Sequence, residues 1–270
     1  MNKPLAIATI FAPSERNAAW YSLQKRFLAK TTNVPFDYSV ILNGVKPVGF
    51  DPGDVVLVNH ENVGHGEALM QAVERFREDR HDAYLLLDSD CFPVTPGWHH
   101  ILTDLMTCFG RVVAAPVRTE NLDLFPHPCA FFLLDEALAD PRLEFRKVTS
   151  SRNLLGFEVS DAGCAAQEMG DSLLPLLRTN VVNLHPVAAA IYHHLFYHHG
   201  AGSRDFEFRV LKRFGYYRHC YPNGGQQAVG ERLFRALIRD PDRFIDRLMG
   251  RRQTALSRVA HLFLSRVRRS

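Results

Sequence analysis

The sequence predicts an α/β domain: a mostly parallel sheet flanked by helices, with a helical C-terminal appendage. Two observations carry that expectation. The first 90 residues alternate short apolar runs with stretches of helical periodicity, the pattern of parallel strands joined by crossover helices. The run Tyr84–Leu87 then ends abruptly at Asp88-Ser89-Asp90, with Pro93, Pro96 and Gly97 close behind. Apolar runs bounded by such breakers read as buried strands, and here two carboxylates stand where strand gives way to loop. In open α/β sheets, ligands bind beyond the carboxyl ends of the strands.

Taken in order, Leu5–Phe11 reads as the first strand. Its apolar run is short, is interrupted by Thr9 and is followed by Glu15 and Arg16, so a strand fits better than a signal peptide. Ser14 is placed to cap a helix reaching about Lys30. Phe36–Leu42 is the second strand, ending at the turn signal Asn43-Gly44, and Val55–Val58 is the third. Ala68, Leu69, Ala72, Val73 and Phe76 recur at helical spacing and predict a helix ending near Asp79. Beyond the carboxylates, Trp98–Phe109 reads as a helix and Val112–Val117 as a strand. Cys129–Leu134 reads as a strand packed across the sheet, and residues 140–158 as irregular. Ser160 or Asp161 caps a helix that stops at Gly170, Val181–Leu184 is a short strand, and Ile191–His199 alternates aromatic residues with histidines.

The 270 residues suffice for a full core, with an apolar fraction of 46% and a charged fraction of 23%. Five scattered cysteines include no C-x-x-C pair. They suggest neither a disulfide framework nor a cysteine zinc site, and fit a reducing cytoplasm. Cys129 reads as a small buried hydrophobe. Trp20 and Trp98 read as core or as a shelf for a ligand. No apolar run is long enough to span a membrane. Charge is divided unevenly: residues 1–200 carry 16 Lys+Arg against 23 Asp+Glu, and residues 201–270 carry 16 against 6. A basic tail behind an acidic body points to an anionic partner.

Two oxygen ligands aimed at one point suit Mg²⁺ or Mn²⁺ held together with substrate phosphates. An exposed strand end is the alternative explanation of Asp88 and Asp90. Neutral imidazole adds a ligand for an Mn²⁺-like ion, from His198 or from its neighbour His199, which alternation alone does not separate. The other reading of His185, His193, His194, His198 and His199 is the polar face of a strand. Gly200, Gly202 and Ser203 offer backbone N–H groups to phosphate, and Arg204 offers a charged fork; a glycine loop without that role is the alternative.

In this order the pieces resemble the nucleotide-sugar-dependent glycosyltransferases of the GT-A fold, above all the inverting family 2 type. The resemblance runs from Leu5 to about Arg204 and rests on four stretches. Asn62-Val63-Gly64-His65-Gly66 resembles the family's Asn-x-Gly helix start beside the nucleotide, and Asp88-Ser89-Asp90 its metal-binding D-x-D. Asp161, about 70 residues later, stands where the catalytic base does, and His198-His199-Gly200-Ala201-Gly202-Ser203 resembles its His-x-Gly…Ser segment. Two positions differ from the usual pattern: Ser160-Asp161 replaces Glu-Asp, and Leu42-Asn43 replaces Asp-Asn.

The resemblance implies transfer of a sugar from a UDP- or GDP-type nucleoside diphosphate sugar to a glycan or lipid-linked acceptor, dependent on Mn²⁺ or Mg²⁺ and inverting. It implies a place in cell-envelope polysaccharide synthesis. Asp90 and Asp88 would bind the metal with His198 or His199, and Asp161 would be the base, a plain helix cap being the other role for that residue. Ala12, Asn17, Asn43, Asn62 and Gly66 would surround the nucleotide with Asp88 and Ser89. Gly200, Ser203 and Arg204 would meet its phosphates.

Residues 1–222 are expected to form the catalytic domain and 223–270 a basic amphipathic helical region. In that region Val229, Leu233, Phe234, Leu237 and Ile238 follow helical spacing, Pro241 breaks the helix, and a second helix begins near Asp242. Arg-rich amphipathic helices lie in an anionic bilayer interface or pack on a domain with a solvated basic face. The first choice places the protein in the cytoplasm at the inner face of the membrane. Two other functions fit single features. L-L-L-D-S-D resembles the haloacid-dehalogenase phosphatase motif, although that motif normally lies on the first strand. The Arg-rich tail could serve a non-enzymatic nucleic-acid or membrane binder, but no nucleic-acid motif accompanies it, so no nucleic acid is expected.

Overall fold

The computed structural model describes residues 3–121, 123–146, 150–152, 156, 158–181, 188–200 and 226–251. Strand β1 (Lys3–Phe11) lies inside a seven-stranded sheet with β2 (Phe36–Asn43), β3 (Val55–Asn59), β4 (His81–Asp88), β6 (Val113–Pro116), β7 (Ala130–Leu134) and β10 (Leu173–Leu176). The spatial order is β10-β6-β7-β4-β1-β2-β3. All neighbours are parallel except β7, which runs antiparallel to both β4 and β6. The fold is thus the expected α/β type, a mostly parallel sheet flanked by helices.

Strand periodicity explains the two faces. On β1, Ala6, Ala8 and Ile10 face one layer and Leu5 and Ile7 the other. The small side chains of Ala6 and Ala8 sit in one cluster with Ala68 and Ala72 of helix α2 (His65–Glu78). The opposite layer is filled from helices α1 (Asn17–Thr31) and α3 (Trp98–Phe109). Leu85, Leu86 and Leu87 of β4 are wholly buried, each contributing about 1.5–3 kcal/mol by leaving water. Trp20 and Trp98 are both core residues.

Several local expectations need correcting. Ser14 does not cap α1: Arg16 holds the cap position, and Ser14 Oγ accepts from the Arg16 backbone N–H in a turn outside the helix. The helix after Asp161 is a 3₁₀ helix, Ala162–Ser172. Residues 140–158 are not wholly irregular, because β8 (Ser150–Arg152) and β9 (Glu158–Ser160) form an antiparallel ribbon. Ile191–His199 is a hairpin, β11 (Ala190–Tyr192) and β12 (Phe196–His198). Its turn is closed by Leu195 N donating to the Tyr192 carbonyl, with His193 and His194 both in the left-handed region at φ 50° and 58°. Histidine tolerates that region better than most residues; these two form the turn, not a strand face. The Val181–Leu184 strand falls mostly outside the described residues.

The hairpin joins β5 (Cys91–Pro93) in a second, antiparallel sheet of order β11-β12-β5. Asp88-Ser89-Asp90 is therefore the corner at which the chain leaves the main sheet for the small one. Helices α4 (Gln226–Arg239) and α5 (Pro241–Leu248) lie against this region. Leu237, Ile245, Leu248 and Met249 share a core cluster with Phe11, Trp20 and Tyr197. The Arg16–Glu231, Arg26–Asp242 and Lys30–Asp242 pairs tie these helices to α1. Such surface pairs contribute about 0–1 kcal/mol each, so the apolar seat dominates. Residues 252–270, which carry much of the basic character of the tail, lie outside the described residues, and no described helix is long and apolar enough to cross a membrane.

Candidate active site

The D-x-D corner is held from three sides. Gln24, buried on α1, donates from Nε2 to the carbonyls of Asp88 (2.8 Å) and Cys91 (2.7 Å), while its Oε1 accepts from the Tyr38 hydroxyl. The Asp88 N–H donates to the Cys129 carbonyl at 3.0 Å, and the His199 N–H to the Asp90 carbonyl at 3.0 Å. With its backbone bonded on both faces, the corner fixes where the two carboxylates point. Ser89 lies buried between them.

Asp88, Asp90 and His198 present ligand atoms within 4.8 Å of one another. His198 Nε2 lies 3.5 Å from Asp90 Oδ1. Asp88 is partly exposed and meets His65 Nε2 at 3.0 Å, at the start of α2. Asp90 is only 2% exposed, and its Oδ2 has no hydrogen-bond partner among the described residues. An ionised carboxylate oxygen buried without a partner is costly. A cation at this point would remove that cost, so the donor set fits a divalent ion.

The two adjacent histidines face opposite ways, as strand alternation requires. His199 lies against Trp20 and Phe234, with ring centroids 5.0 and 5.9 Å away. Its Nε2 lies 3.1 Å from the Gly230 carbonyl and must donate to it, so Nδ1 accepts from the Tyr197 hydroxyl at 2.6 Å. Both nitrogens are occupied by these partners, and burial lowers its pKa to about 4, keeping the ring neutral. His199 is therefore corrected from candidate ligand to core residue. Burial alone would lower the pKa of His198 too, but the charges of Cys129 and Asp90 outweigh it and raise it well above the usual histidine value.

Asp161 caps the 3₁₀ helix, its Oδ1 accepting from Gly163 N at 3.3 Å. Its Oδ2 lies 3.7 Å from Nε2 of His127. A Cβ on Gly163 would stand 1.9 Å from the Pro126 carbonyl. Glycine at this position lets the helix start press against the 126–128 loop and bring Asp161 to His127. The ring of His127 in turn lies 5.5 Å from that of His198. Asp161 is thereby linked through two imidazoles to Asp90. Nearby, the half-buried Arg118 pairs with the buried Asp123 at 2.9 Å, and Tyr192 donates to Glu120 at 3.0 Å.

The remaining expected residues are placed as follows. Asn43 Nδ2 donates to Asn62 Oδ1 and the Gly64 carbonyl, and its Oδ1 accepts from Val63 N, so its side chain shapes the 62–64 loop from within. Asn17 Nδ2 donates to the Ala12 carbonyl, holding the β1–α1 loop, and Ala12 itself is exposed. Gly66 packs against Phe145, whose carbonyl lies 2.1 Å from where a Cβ would stand. Gly200 is buried at φ 69°, and Ser203 and Arg204 lie outside the described residues. Sequence reading missed Gln24, His65 and His127. Gln24 carries no motif, and only a His-Pro-Cys sequence hints at His127.

Together these features define an α/β domain with an acidic, histidine-bearing site at the carboxyl end of its central strand. No family model and no curated protein sequence matches the chain. Among solved structures it is similar to the mannosyltransferase PcManGT from Pyrobaculum calidifontis in complex with GDP-Man and Mn²⁺, at 10% identity over 52% of this chain and 46% of that one, TM-score 0.39. It is similar to Staphylococcus aureus TarS 1-349 in complex with UDP-GlcNAc, at 12% identity over 67% of this chain and 60% of that one, TM-score 0.40. A third is a protein proposed to be a nucleotide-diphospho-sugar transferase from Desulfovibrio desulfuricans G20, at 11% identity over 88% of this chain and 98% of that one, TM-score 0.43. The chain spans less than two thirds of the length of the first two. Likeness at this level carries no residue correspondence, and the site stands on its own geometry.

Proposed function

We propose that the protein transfers a sugar from a nucleoside diphosphate sugar to an acceptor hydroxyl, and that the transfer depends on a divalent cation. The observation that carries this reading is the buried Oδ2 of Asp90, without a hydrogen-bond partner among the described residues, within the Asp88–Asp90–His198 set. Two carboxylates and one imidazole suit Mn²⁺, and Mg²⁺ with added waters. Bound there, the ion would act as Lewis acid and neutralise the charge of the leaving diphosphate.

The chain's own residues do the rest. Gln24 and the Cys129 carbonyl keep the corner rigid, so both carboxylates are aimed before the donor arrives. His65 orients Asp88, the more open of the two. Asp161 accepts the proton of the acceptor hydroxyl as that oxygen attacks the anomeric carbon and the bond to the diphosphate breaks on the opposite face, a single displacement that inverts the anomeric centre. The capping bond from Gly163 leaves Oδ2 as the oxygen that takes the proton. Asn17, Ala12, Asn43, Asn62 and Gly66 shape the loops around the nucleotide, and Gly200, Ser203 and Arg204 serve its phosphates.

A thermal-shift series with UDP and GDP, each with and without Mn²⁺, tests the reading. At least one diphosphate should raise the melting temperature more with Mn²⁺ than either component does alone, because a ligand bound to the folded state stabilises it by mass action. No response to either nucleotide would sink it.

A further inference from the structure

We propose a second metal site, taking Zn²⁺ or a comparably soft divalent ion, formed by His127, Cys129 and His198. It requires neither the donor nor the glycosyl-transfer reading. The three residues present ligand atoms within 4.8 Å of one another, and all are buried. Tetrahedral zinc bonds of about 2.0–2.3 Å place ligand atoms about 3.4–3.8 Å apart. Closure on an ion therefore shortens any one separation by at most about 1.4 Å, shared between two side chains. A nitrogen–nitrogen–sulfur set is chemically unlike the carboxylate-rich set beside it. Thiolate and imidazole select zinc-like ions, whereas carboxylates suit Mg²⁺ and Mn²⁺.

The surroundings are built as a ligand shell is built. Cys129 is fixed by its own carbonyl, which accepts from Asp88 N at 3.0 Å. His127 is fixed by its N–H, which donates to the Pro116 carbonyl at 2.7 Å. Its Nδ1 is the nitrogen turned towards Cys129, accepting a long 3.3 Å bond from the Cys129 N–H that an ion would replace. Its Nε2 then faces Asp161 Oδ2 at 3.7 Å. A carboxylate behind the second nitrogen of a ligand histidine is the usual outer-shell arrangement, fixing tautomer and ring orientation. Asp161 is also the opening to solvent, with 23% of its side chain exposed beside a His127 side chain at 9%. Binding displaces to solvent the proton that Cys129 and His198 hold between them, leaving a thiolate and two neutral imidazoles on the ion and a fourth position for water. His198 belongs to both sets, so zinc bound here withdraws its imidazole from Asp88 and Asp90.

Metal-free full-length protein titrated with Co²⁺, a spectroscopic stand-in for Zn²⁺, tests the site. The expected result is a thiolate-to-cobalt charge-transfer band with the intense visible bands of four-coordinate cobalt, both displaced by Zn²⁺. Cys129→Ser should abolish the charge-transfer band, while Asp88→Asn and Cys164→Ser retain it. Asp161→Asn should weaken Co²⁺ binding by roughly 10–100-fold, the usual effect of losing an outer-shell partner. Should Cys129→Ser not fold, His127→Gln keeps every thiol and must still lose the four-coordinate spectrum. Absence of the band in wild type, or its persistence in folded Cys129→Ser, overturns the proposal.

Discussion

Asp161→Asn should reduce sugar transfer by roughly 10²–10⁴-fold, the contribution of a positioned acid or base, while nucleoside diphosphate affinity stays near wild type. Asparagine is nearly isosteric, and its Oδ1 keeps the capping bond from Gly163. What changes is the atom 3.7 Å from His127, where an oxygen that accepts a proton becomes an amide that does not. Circular dichroism should match wild type, because the cap survives. With donor and acceptor unidentified, donor hydrolysis serves as the assay. Undiminished turnover would reduce Asp161 to a cap and an outer-shell group. Asp123 would be a poor substitute, being buried and committed to Arg118. Glu158 and Glu168 are exposed and would be examined next.

Asp90→Ala should abolish the Mn²⁺-dependent part of nucleoside diphosphate binding, so that calorimetry returns one affinity with and without the ion. The same change should leave the metal-free protein folded, the loss of the 3.5 Å contact between Asp90 Oδ1 and His198 being offset in part by removal of an unsatisfied oxygen. Asp90 Oδ2 is buried and unpartnered among the described residues, and leaving such a group unsatisfied costs about 1–3 kcal/mol. Removing it offsets the packing lost with the side chain. A variant that melts well below wild type without metal would mean that Asp90 is a structural residue. A variant that keeps the Mn²⁺ response would place the ion elsewhere.

The parts of the molecule legible in the sequence are those with a period or a breaker. Trp98–Phe109 and the central strand ending at Asp88 fall where their apolar spacing and flanking glycines and prolines place them. The small sheet was not legible, since its strands, such as Cys91–Pro93 and Phe196–His198, are three residues long, and the aromatic–histidine alternation over Ile191–His199 reveals neither the turn nor the pairing. The 3₁₀ character of Ala162–Ser172 was hidden for a related reason: a helical cap and stop do not distinguish the two helix types. At the site, the D-x-D was visible because its carboxylates interrupt an apolar run. His198 could not be told from His199 until the register Cys91↔His198 and the Trp20 ring assigned each a side. Cys129 was correctly read as buried, but its neighbours His127 and His198 come from a loop and a hairpin that only tertiary packing brings together. The absence of C-x-x-C says nothing about such a set. Gln24 left no trace, because one amide clamping two carbonyls has no sequence pattern.

The measurement that bears most directly on the central claim is an anomalous-scattering map from crystals of the full chain grown with Mn²⁺ and whichever diphosphate raises its melting temperature. A manganese peak bonded to Asp90 and His198 is expected, with Asp88 coordinated directly or through water and the diphosphate oxygens on the open side. A manganese peak remote from Asp90, or a nucleotide bound away from the carboxyl end of the central strand, would contradict it.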